Sequence, residues 1–187
     1  MQKNTKYDIL RKVNIKGNVN LTVEEIMSKG IMRVYYGEGH GKSTAALGTA
    51  IREASHGKTA TVISFLKEKN EDSEELLKKL EPELKFFRFE KSEVSFEELS
   101  EEEKQREMMN LVSGFNYSKK VITTGGCDLV VLDEVLGLVD QDIISEKDFL
   151  DLAAAIPEDM VVICTGRKVP DAIKECADEL YQVTLEK

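Results

Sequence analysis

The sequence has no tryptophan, and its 187 residues include only two histidines, three cysteines and three prolines. No two of the cysteines form a C-x-x-C pair, so neither a disulfide framework nor a zinc site is indicated. We interpret Cys127, Cys164 and Cys176 as small apolar core residues. The two histidines, His40 and His56, do not favour a Ser–His–Asp relay. The chemistry is therefore expected to need little proton transfer.

Long apolar segments and excess positive charge are also lacking. No apolar run is long enough to span a membrane, and the N-terminus lacks the apolar core of a secretion signal. We therefore expect a cytoplasmic protein with no membrane partner. Asp and Glu number 35 against 26 Lys and Arg, a formal net charge of -9, which is the wrong sign for binding nucleic acid over a broad surface. Much of this charge lies in residues 68–107, an acidic excursion within the chain.

The order of apolar runs predicts the fold class. Residues 1–30 are interpreted as an N-terminal arm, either with a short helix after the capping box Thr22–Glu25 or as a disordered tail. Residues 31–187 are expected to form one domain, because strand-like runs alternate there with stretches of helical spacing. This alternation predicts an α/β fold with a mainly parallel six-stranded sheet and helices on both faces. The predicted strands are 31–36, 60–66, 84–89, 128–133, 160–164 and 180–185.

Helix boundaries are indicated by capping residues. A first helix is predicted over Ser43–His56. The patterns Ser100–Glu103 and Ser145–Asp148 predict two further helix starts, and Pro170 suits the first position of another helix.

The strongest functional motif lies between the first strand and the first helix. The segment Tyr36–Ser43 reads Tyr-Gly-Glu-Gly-His-Gly-Lys-Ser, which is typical of a phosphate-binding loop. Its glycines allow backbone N–H groups to surround anionic oxygens, Lys42 adds positive charge, and the Ser43 hydroxyl is a ligand for Mg²⁺. The predicted nucleotide-binding residues of this segment are Gly37, Glu38, Gly39, His40, Gly41, Lys42, Ser43 and Thr44.

The motif departs from the usual G-x-x-x-x-G-K-[ST] pattern. Tyr36 stands where the first glycine is expected, and Gly37 follows one residue late. The alternative interpretation is a glycine-rich turn between strand and helix that binds nothing.

Two later strands end in residues suited to the same ligand. The segment Asp128–Glu134 is an apolar strand that ends in two acids, and Asp133 and Glu134 are predicted to hold Mg²⁺ together with Ser43. The segment Thr165–Arg167 follows another strand and places a guanidinium at the edge of the sheet where ligands bind. The alternatives are acids with no metal role and an arginine in a surface ion pair.

Taken together, these residues resemble those of the ATP:corrinoid adenosyltransferases. The resemblance covers roughly residues 31–185, and this family lacks the first glycine of the phosphate loop in the same way. The residues and segments that carry it are Gly37–Gly48, Arg52, His56–Lys58, Ser64–Lys67, Asp128–Glu134 and Thr165–Arg167.

The resemblance implies a RecA-like P-loop fold, a homodimer, and transfer of the 5′-deoxyadenosyl group of ATP to a cobalt(I) corrinoid with release of triphosphate. It implies ATP and Mg²⁺ as cofactors, cobalamin or a precursor as substrate, and a reductase or corrinoid-delivery protein as partner. The catalytic residues implied are Lys42, Glu134 and Arg167. Arg52 is expected to approach the nucleoside, and Lys67 is expected near the site.

The sequence differs from the family most where the corrinoid is expected to bind. The family's Gly-Phe-x-Trp loop is missing, and Gly114–Tyr117, which looks similar, ends only 16 residues before Asp133, so we predict that it is helical. Phe96 is the better-placed aromatic. His40 stands where the family commonly has lysine, which removes a fixed positive charge near the triphosphate.

Three functions remain open from the sequence. The first is an adenosyltransferase, in which altered corrinoid specificity accounts for the missing tryptophan. The second is an ATP-binding regulator that no longer adenosylates corrinoids, with residues 68–107 binding a partner. The third is another P-loop enzyme, such as a kinase or ATPase, although a thymidine-kinase-like domain would bring a zinc-binding cysteine cluster that this chain lacks.

Overall fold

In the computed structural model, the residues described are 30–66, 71–92, 94 and 96–186. Lys67, the capping box of Thr22–Glu25 and all of the predicted arm except Gly30 lie outside them.

Six strands of the described residues form one sheet in which every neighbouring pair is parallel. The strand order is β3-β2-β4-β5-β1-β6. The predicted α/β class and parallel six-stranded sheet are confirmed. The strands are β1 (Ile31–Tyr36), β2 (Ala60–Ser64), β3 (Leu84–Arg88), β4 (Leu129–Asp133), β5 (Val161–Gly166) and β6 (Glu179–Gln182).

Helices connect these strands and cover both faces of the sheet. A 3-10 turn at Phe96–Glu98 precedes the longest of them. Within the described residues the helices are α1 (Lys42–Ser55), α2 (Glu71–Lys78), α3 (Glu101–Thr124), α4 (Val135–Asp140), α5 (Glu146–Ala154) and α6 (Asp171–Cys176).

The alternation of side chains along the strands divides the core into two layers. All five residues of β2 and of β4 are buried, as expected for strands covered on both faces. On one face, Ala46 and Ala50 of α1 belong to the same cluster as Val131 of β4. On the other face, helices α3 to α6 pack against alternate strand residues, with Leu111, Phe115, Leu136, Phe149 and Ile173 at the centre.

The predicted helix starts are largely confirmed. Ser100 caps α3 and forms the full capping box with Glu103, whose pKa is lowered by its hydrogen bonds with Ser100. Ser145 caps α5 through its side chain. The prediction for Pro170 was one residue off: its ψ of 150° is extended, so it is the residue before α6 rather than the first helical one.

Two other expectations need correction. The last strand was predicted over 180–185, but β6 ends at Gln182 because its partner β1 ends at Tyr36. Of the three cysteines, only Cys164 is fully buried, and burial raises the pKa of its thiol. Cys127 and Cys176 lie at partly covered positions.

The segment Gly114–Tyr117 lies inside α3, as predicted. Gly114 allows α3 to lie against the ring of Phe89, because a Cβ atom there would come within 2.4 Å of that ring. Among the described helices, none is both long and apolar enough to cross a membrane.

Gly114 and Gly48 provide a matched pair for testing this packing. Gly48 lies in the middle of α1 with open space around its added Cβ. We expect Gly48→Ala to stabilise the protein by about 0.5–1 kcal/mol through helix propensity. We expect Gly114→Ala to destabilise it by about 1–2 kcal/mol, because overpacking against Phe89 outweighs the same gain. Urea unfolding measures both, and equal stabilisation by the two substitutions would contradict the packing described.

Candidate functional site

The turn from β1 to α1 explains why the glycine arrives one residue late. Tyr36 is still part of β1 and pairs with Gly166 and Gln182 on its two sides. The backbone then turns at Gly37, whose φ is +116°, and an added Cβ there would lie 2.4 Å from the carbonyl oxygen of Val183. Glycine is therefore required at position 37 rather than at 36.

Backbone hydrogen bonds hold this loop to its neighbours. The N–H of Gly37 donates to the carbonyl of Arg167 at 2.9 Å, and the N–H of Gly39 donates to the carbonyl of Val183 at 3.0 Å. The N–H of Val183 donates to Tyr36 at 2.7 Å. Residues 183–184 thus run beside the loop and fix its path.

The N-terminus of α1 is suited to an anion. Gly41, the residue before α1, has a φ of +104° and no side chain that could cap the helix, and the first turn carries no acid. By contrast, α3 and α5 each have a capping serine and acids in the first turn. The first N–H groups of α1 and its positive dipole end are therefore left to a ligand such as phosphate.

Lys42 extends over the loop that precedes it. Its ammonium is nearly buried and donates to the carbonyls of Gly37 at 2.6 Å and Gly39 at 2.8 Å. An ammonium has three N–H donors. Two of them hold the loop. The third has no acceptor among the described residues and remains for a phosphate oxygen.

Of the two predicted acids, Asp133 is the last residue of β4 and Glu134 follows it, and a residue of β5 joins them. Asp133 is buried, and its Oδ1 accepts a hydrogen bond of 2.7 Å from the hydroxyl of Thr165. The same hydroxyl accepts a hydrogen bond of 2.8 Å from the backbone N–H of Glu134. Glu134 has a φ of +60°, a left-handed conformation that costs energy for a residue with a Cβ. Its conformation is thus held by hydrogen bonding from the neighbouring strand.

A cleft of about 750 Å³ collects most of the predicted site residues. The phosphate loop forms one wall, and Glu134 and Arg167 contribute from the ends of β4 and β5. Arg167 is exposed, and no ion pair to it is found among the described residues, whereas Lys168 pairs with Asp140 at 3.0 Å. The residues around the cleft are Glu38 to Thr44, Leu66, Phe96, Glu134, Gly137, Asp140, Gln141, Arg167 and Lys168.

Arg52 and Lys67 are not placed in the cleft by the described structure. Arg52 lies in the last turn of α1, ten positions after Lys42, which corresponds to about 15 Å along a helix. Its side chain is 67% exposed and lies 3.7 Å from Glu53. Its contact with the nucleoside stays a prediction, as does the role of Lys67, which lies outside the described residues.

Several cleft residues were missed by sequence reasoning. Leu66 and Gly137 are brought together across the cleft, where a Cβ on Gly137 would lie 2.7 Å from Leu66. Nothing in the sequence indicates this contact, because it depends on the unusual backbone conformation of Leu66, whose φ is +39°. Thr165 was noted only as part of the arginine motif. A hydroxyl near the end of a buried strand itself indicates a hydrogen bond to a polar group of the neighbouring strand.

The residues present fit a magnesium ion held together with phosphate. Ser43, Asp133 and Glu134 supply the hard oxygen donors that Mg²⁺ prefers. No group of three or more His, Cys, Asp or Glu side chains able to hold a metal is found in the described part of the chain. In the usual mode of Mg²⁺ binding, one or two carboxylates share the ion with substrate phosphates.

A comparison with family models decides the assignment. The model described as ATP:corrinoid adenosyltransferase BtuR/CobO/CobP matches residues 28–187. The chain belongs to this family. The resemblance inferred from the motifs is therefore confirmed.

Relatives of the ATP:corrinoid adenosyltransferase family extend over most of the chain. Corrinoid adenosyltransferase CobA of Salmonella typhimurium is 30% identical over 92% of this chain and 86% of its own length. The corrinoid adenosyltransferase of Escherichia coli K12 is 28% identical with the same coverage, and that of Pseudomonas aeruginosa is 27% identical over 85% of this chain and 77% of its own.

A solved structure supports the fold of this adenosyltransferase family member. A KaiC-like protein of Pyrococcus horikoshii aligns with a TM-score of 0.55 and 17% identity, covering 82% of this chain and 71% of that one. At this identity the likeness shows the fold alone. The predicted RecA-like P-loop fold is confirmed.

Arg167 and Lys168 offer a test of which cation serves the ligand. Because Arg167 has no ion-pair partner among the described residues, we expect Arg167→Ala to weaken ATP binding about tenfold. Lys168 is paired with Asp140, so Lys168→Ala should change it less than about twofold. Isothermal titration with MgATP measures both, and equal losses would show that Arg167 has no special role.

Proposed function

We propose that this chain transfers the 5′-deoxyadenosyl group of ATP to the cobalt(I) of a corrinoid and releases triphosphate. The observation that carries the proposal is the make-up of the cleft, which joins an anion-binding wall to an apolar wall. Lys42 and the N-terminus of α1 lie on the first, and Leu66 and Phe96 lie on the second. ATP needs the first wall and the face of a corrin ring suits the second.

The reaction requires alignment and charge stabilisation more than proton transfer. A lone pair of cobalt(I) attacks C5′, the C5′–O bond breaks, and its electron pair leaves with the triphosphate, so cobalt becomes formally cobalt(III). No proton moves in this step, which suits a cleft whose only histidine, His40, is exposed on the phosphate loop. The protein's task is to hold the two reactants in line and to stabilise the leaving anion.

Charge on the leaving triphosphate is met by groups of three elements. The N–H groups at the start of α1 and the ammonium of Lys42 bind phosphate oxygens, and Arg167 binds them bidentately from the end of β5. Ser43, Asp133 and Glu134 would hold a Mg²⁺ ion, which would neutralise further phosphate charge. These roles are proposals supported by the positions of Lys42, Ser43, Glu134 and Arg167 around one cleft. The role of Asp133 is supported by its hydrogen bond with Thr165, whose hydroxyl also holds Glu134.

The corrinoid side of the cleft is built without tryptophan. Phe96 stands on the 3-10 turn between β3 and α3 and lies largely within the core, with only its edge reaching the cleft. Leu66 and Gly137 continue the apolar surface. We propose that this wall, which has no tryptophan, receives the corrin face. We also propose that a homodimer and a separate reductase or delivery protein complete the reaction.

The proposed activity is tested by anaerobic incubation with MgATP and chemically reduced cob(I)alamin. We expect loss of the cobalt(I) absorption and formation of a light-sensitive cobalt–carbon bond. Lys42→Ala is the control and should abolish the product. If several corrinoids yield no product while ATP still binds, the transferase proposal is wrong and the ATP-binding regulator is favoured.

A substitution at Phe96 separates the two walls. We expect Phe96→Ala to raise the KM for the corrinoid about tenfold and to leave the ATP affinity within about twofold, because the apolar wall loses contact area and the phosphate loop does not. The same substitution leaves a cavity in the core and should lower the free energy of unfolding by about 3–5 kcal/mol. Phe96→Leu keeps an apolar side chain, so its KM for the corrinoid should lie between those of the unsubstituted protein and Phe96→Ala. Thermal unfolding of each variant shows whether the fold is retained. A parallel loss of ATP affinity would contradict the assignment of Phe96 to the corrinoid side.

A further inference from the structure

The hydroxyl of Thr165 connects Asp133 and Glu134 through one atom. It donates to Oδ1 of Asp133 at 2.7 Å and accepts from the N–H of Glu134 at 2.8 Å. A threonine hydroxyl has a single proton, so its donation to Asp133 leaves its lone pairs to accept from Glu134. The direction of both hydrogen bonds is thereby set.

The sheet places this hydroxyl where water does not reach. Leu132 of β4 lies level with Cys164 of β5, so the next residues, Asp133 and Thr165, stand side by side at the ends of their strands. Thr165 has no exposed surface, and Asp133 is 6% exposed. Hydrogen bonds between buried groups are costly to remove, because water does not replace the lost partner.

The segment that carries Thr165 also contacts the phosphate loop. Tyr35 and Tyr36 of β1 are in register with Thr165 and Gly166, and the carbonyl of Arg167 accepts the N–H of Gly37. Residues 165–167 therefore contact the acids on one side and the phosphate loop on the other.

We infer that Thr165 is a positioning residue for the magnesium–nucleotide complex. It orients the Asp133 carboxylate and holds the backbone of Glu134 in its left-handed conformation, so that both acids are set toward the cation held with ATP. The inference rests on the nucleotide-binding part of the proposed function. It does not depend on which corrinoid is used, or on whether a corrinoid is used at all.

The substitution Thr165→Val removes the hydroxyl and keeps the side-chain shape. Loss of a group that orients metal ligands typically lowers metal affinity by about 10–100-fold. Thr165→Ser restores the hydroxyl without the methyl group. Thr61, a buried threonine of β2 far from the cleft end of the sheet, supplies the matched control Thr61→Val.

The test measures cation binding without corrinoid. ATP affinity is determined by calorimetry in Mg²⁺ and again in EDTA, and Mn²⁺ binding to the ATP complex is followed by electron paramagnetic resonance. For Thr165→Val we expect about a tenfold loss of Mn²⁺ affinity and of the Mg²⁺-dependent part of ATP binding. Binding of ATP in EDTA should stay within twofold. Thr165→Ser and Thr61→Val should behave as the unsubstituted protein.

Three results would overturn the inference. Thr165→Val with unchanged Mn²⁺ affinity would show that the hydroxyl does not position the acids. Equal losses with and without Mg²⁺, or a Thr165→Ser variant as weak as Thr165→Val, would show a packing role instead. If Thr165→Val does not fold, Thr165→Ala is measured in the same way. If Thr165→Val weakens Mn²⁺ binding as expected but the unsubstituted protein forms no cobalt–carbon bond, only the proposed transfer reaction is contradicted.

Discussion

The position of β5 between β1 and β4 is the constraint on which the site depends. The phosphate loop follows β1, the two acids stand at the end of β4, and β1 and β4 are not neighbours in the sheet. Groups at the end of β5 join them. Thr165 does so through its side chain and Arg167 through its backbone, with hydrogen bonds of 2.7–2.9 Å. The distance between the proposed phosphate-binding and cation-binding groups is thus set by the spacing of parallel strands, which is a rigid property of the sheet.

The same sheet explains the unusual phosphate loop. Because β1 lies between β5 and β6, its last residue, Tyr36, is paired on both sides and cannot begin the turn. The turn starts one residue later, and residues 183–184 pass so close that only glycine is accommodated at 37. The departure from the usual motif therefore arises because β1 extends through Tyr36. The helix still starts at Lys42, and its first N–H groups still point to where a phosphate would bind.

Sequence reasoning succeeded where the signal is local. Strand positions follow from short apolar runs, and the caps at Ser100 and Ser145 follow from hydrogen bonds within one turn. The predicted end of β6 was wrong because the strand's true end depends on where the neighbouring strand β1 stops. The contact of Leu66 with Gly137 and the bridge through Thr165 join residues far apart in the chain, and periodicity carries no information on such pairs. The fold and the glycine-rich turn after β1 were therefore predictable, whereas the contact of Leu66 with Gly137 and the orientation of the acids were not.

The two walls of the cleft also differ in what a substitution can change. The loop part of the proposed anion-binding wall relies on backbone N–H groups and on one lysine held by the loop's own carbonyls, so it depends on fewer side chains than the apolar wall does. The apolar wall consists of side chains from separate connections, after β2, β3 and β4. Each of these connections can change without disturbing the sheet. A chain can therefore keep ATP in place while altering the shape of the surface that faces the second substrate. This is the arrangement expected where a nucleotide is common to a family and the acceptor's fit varies.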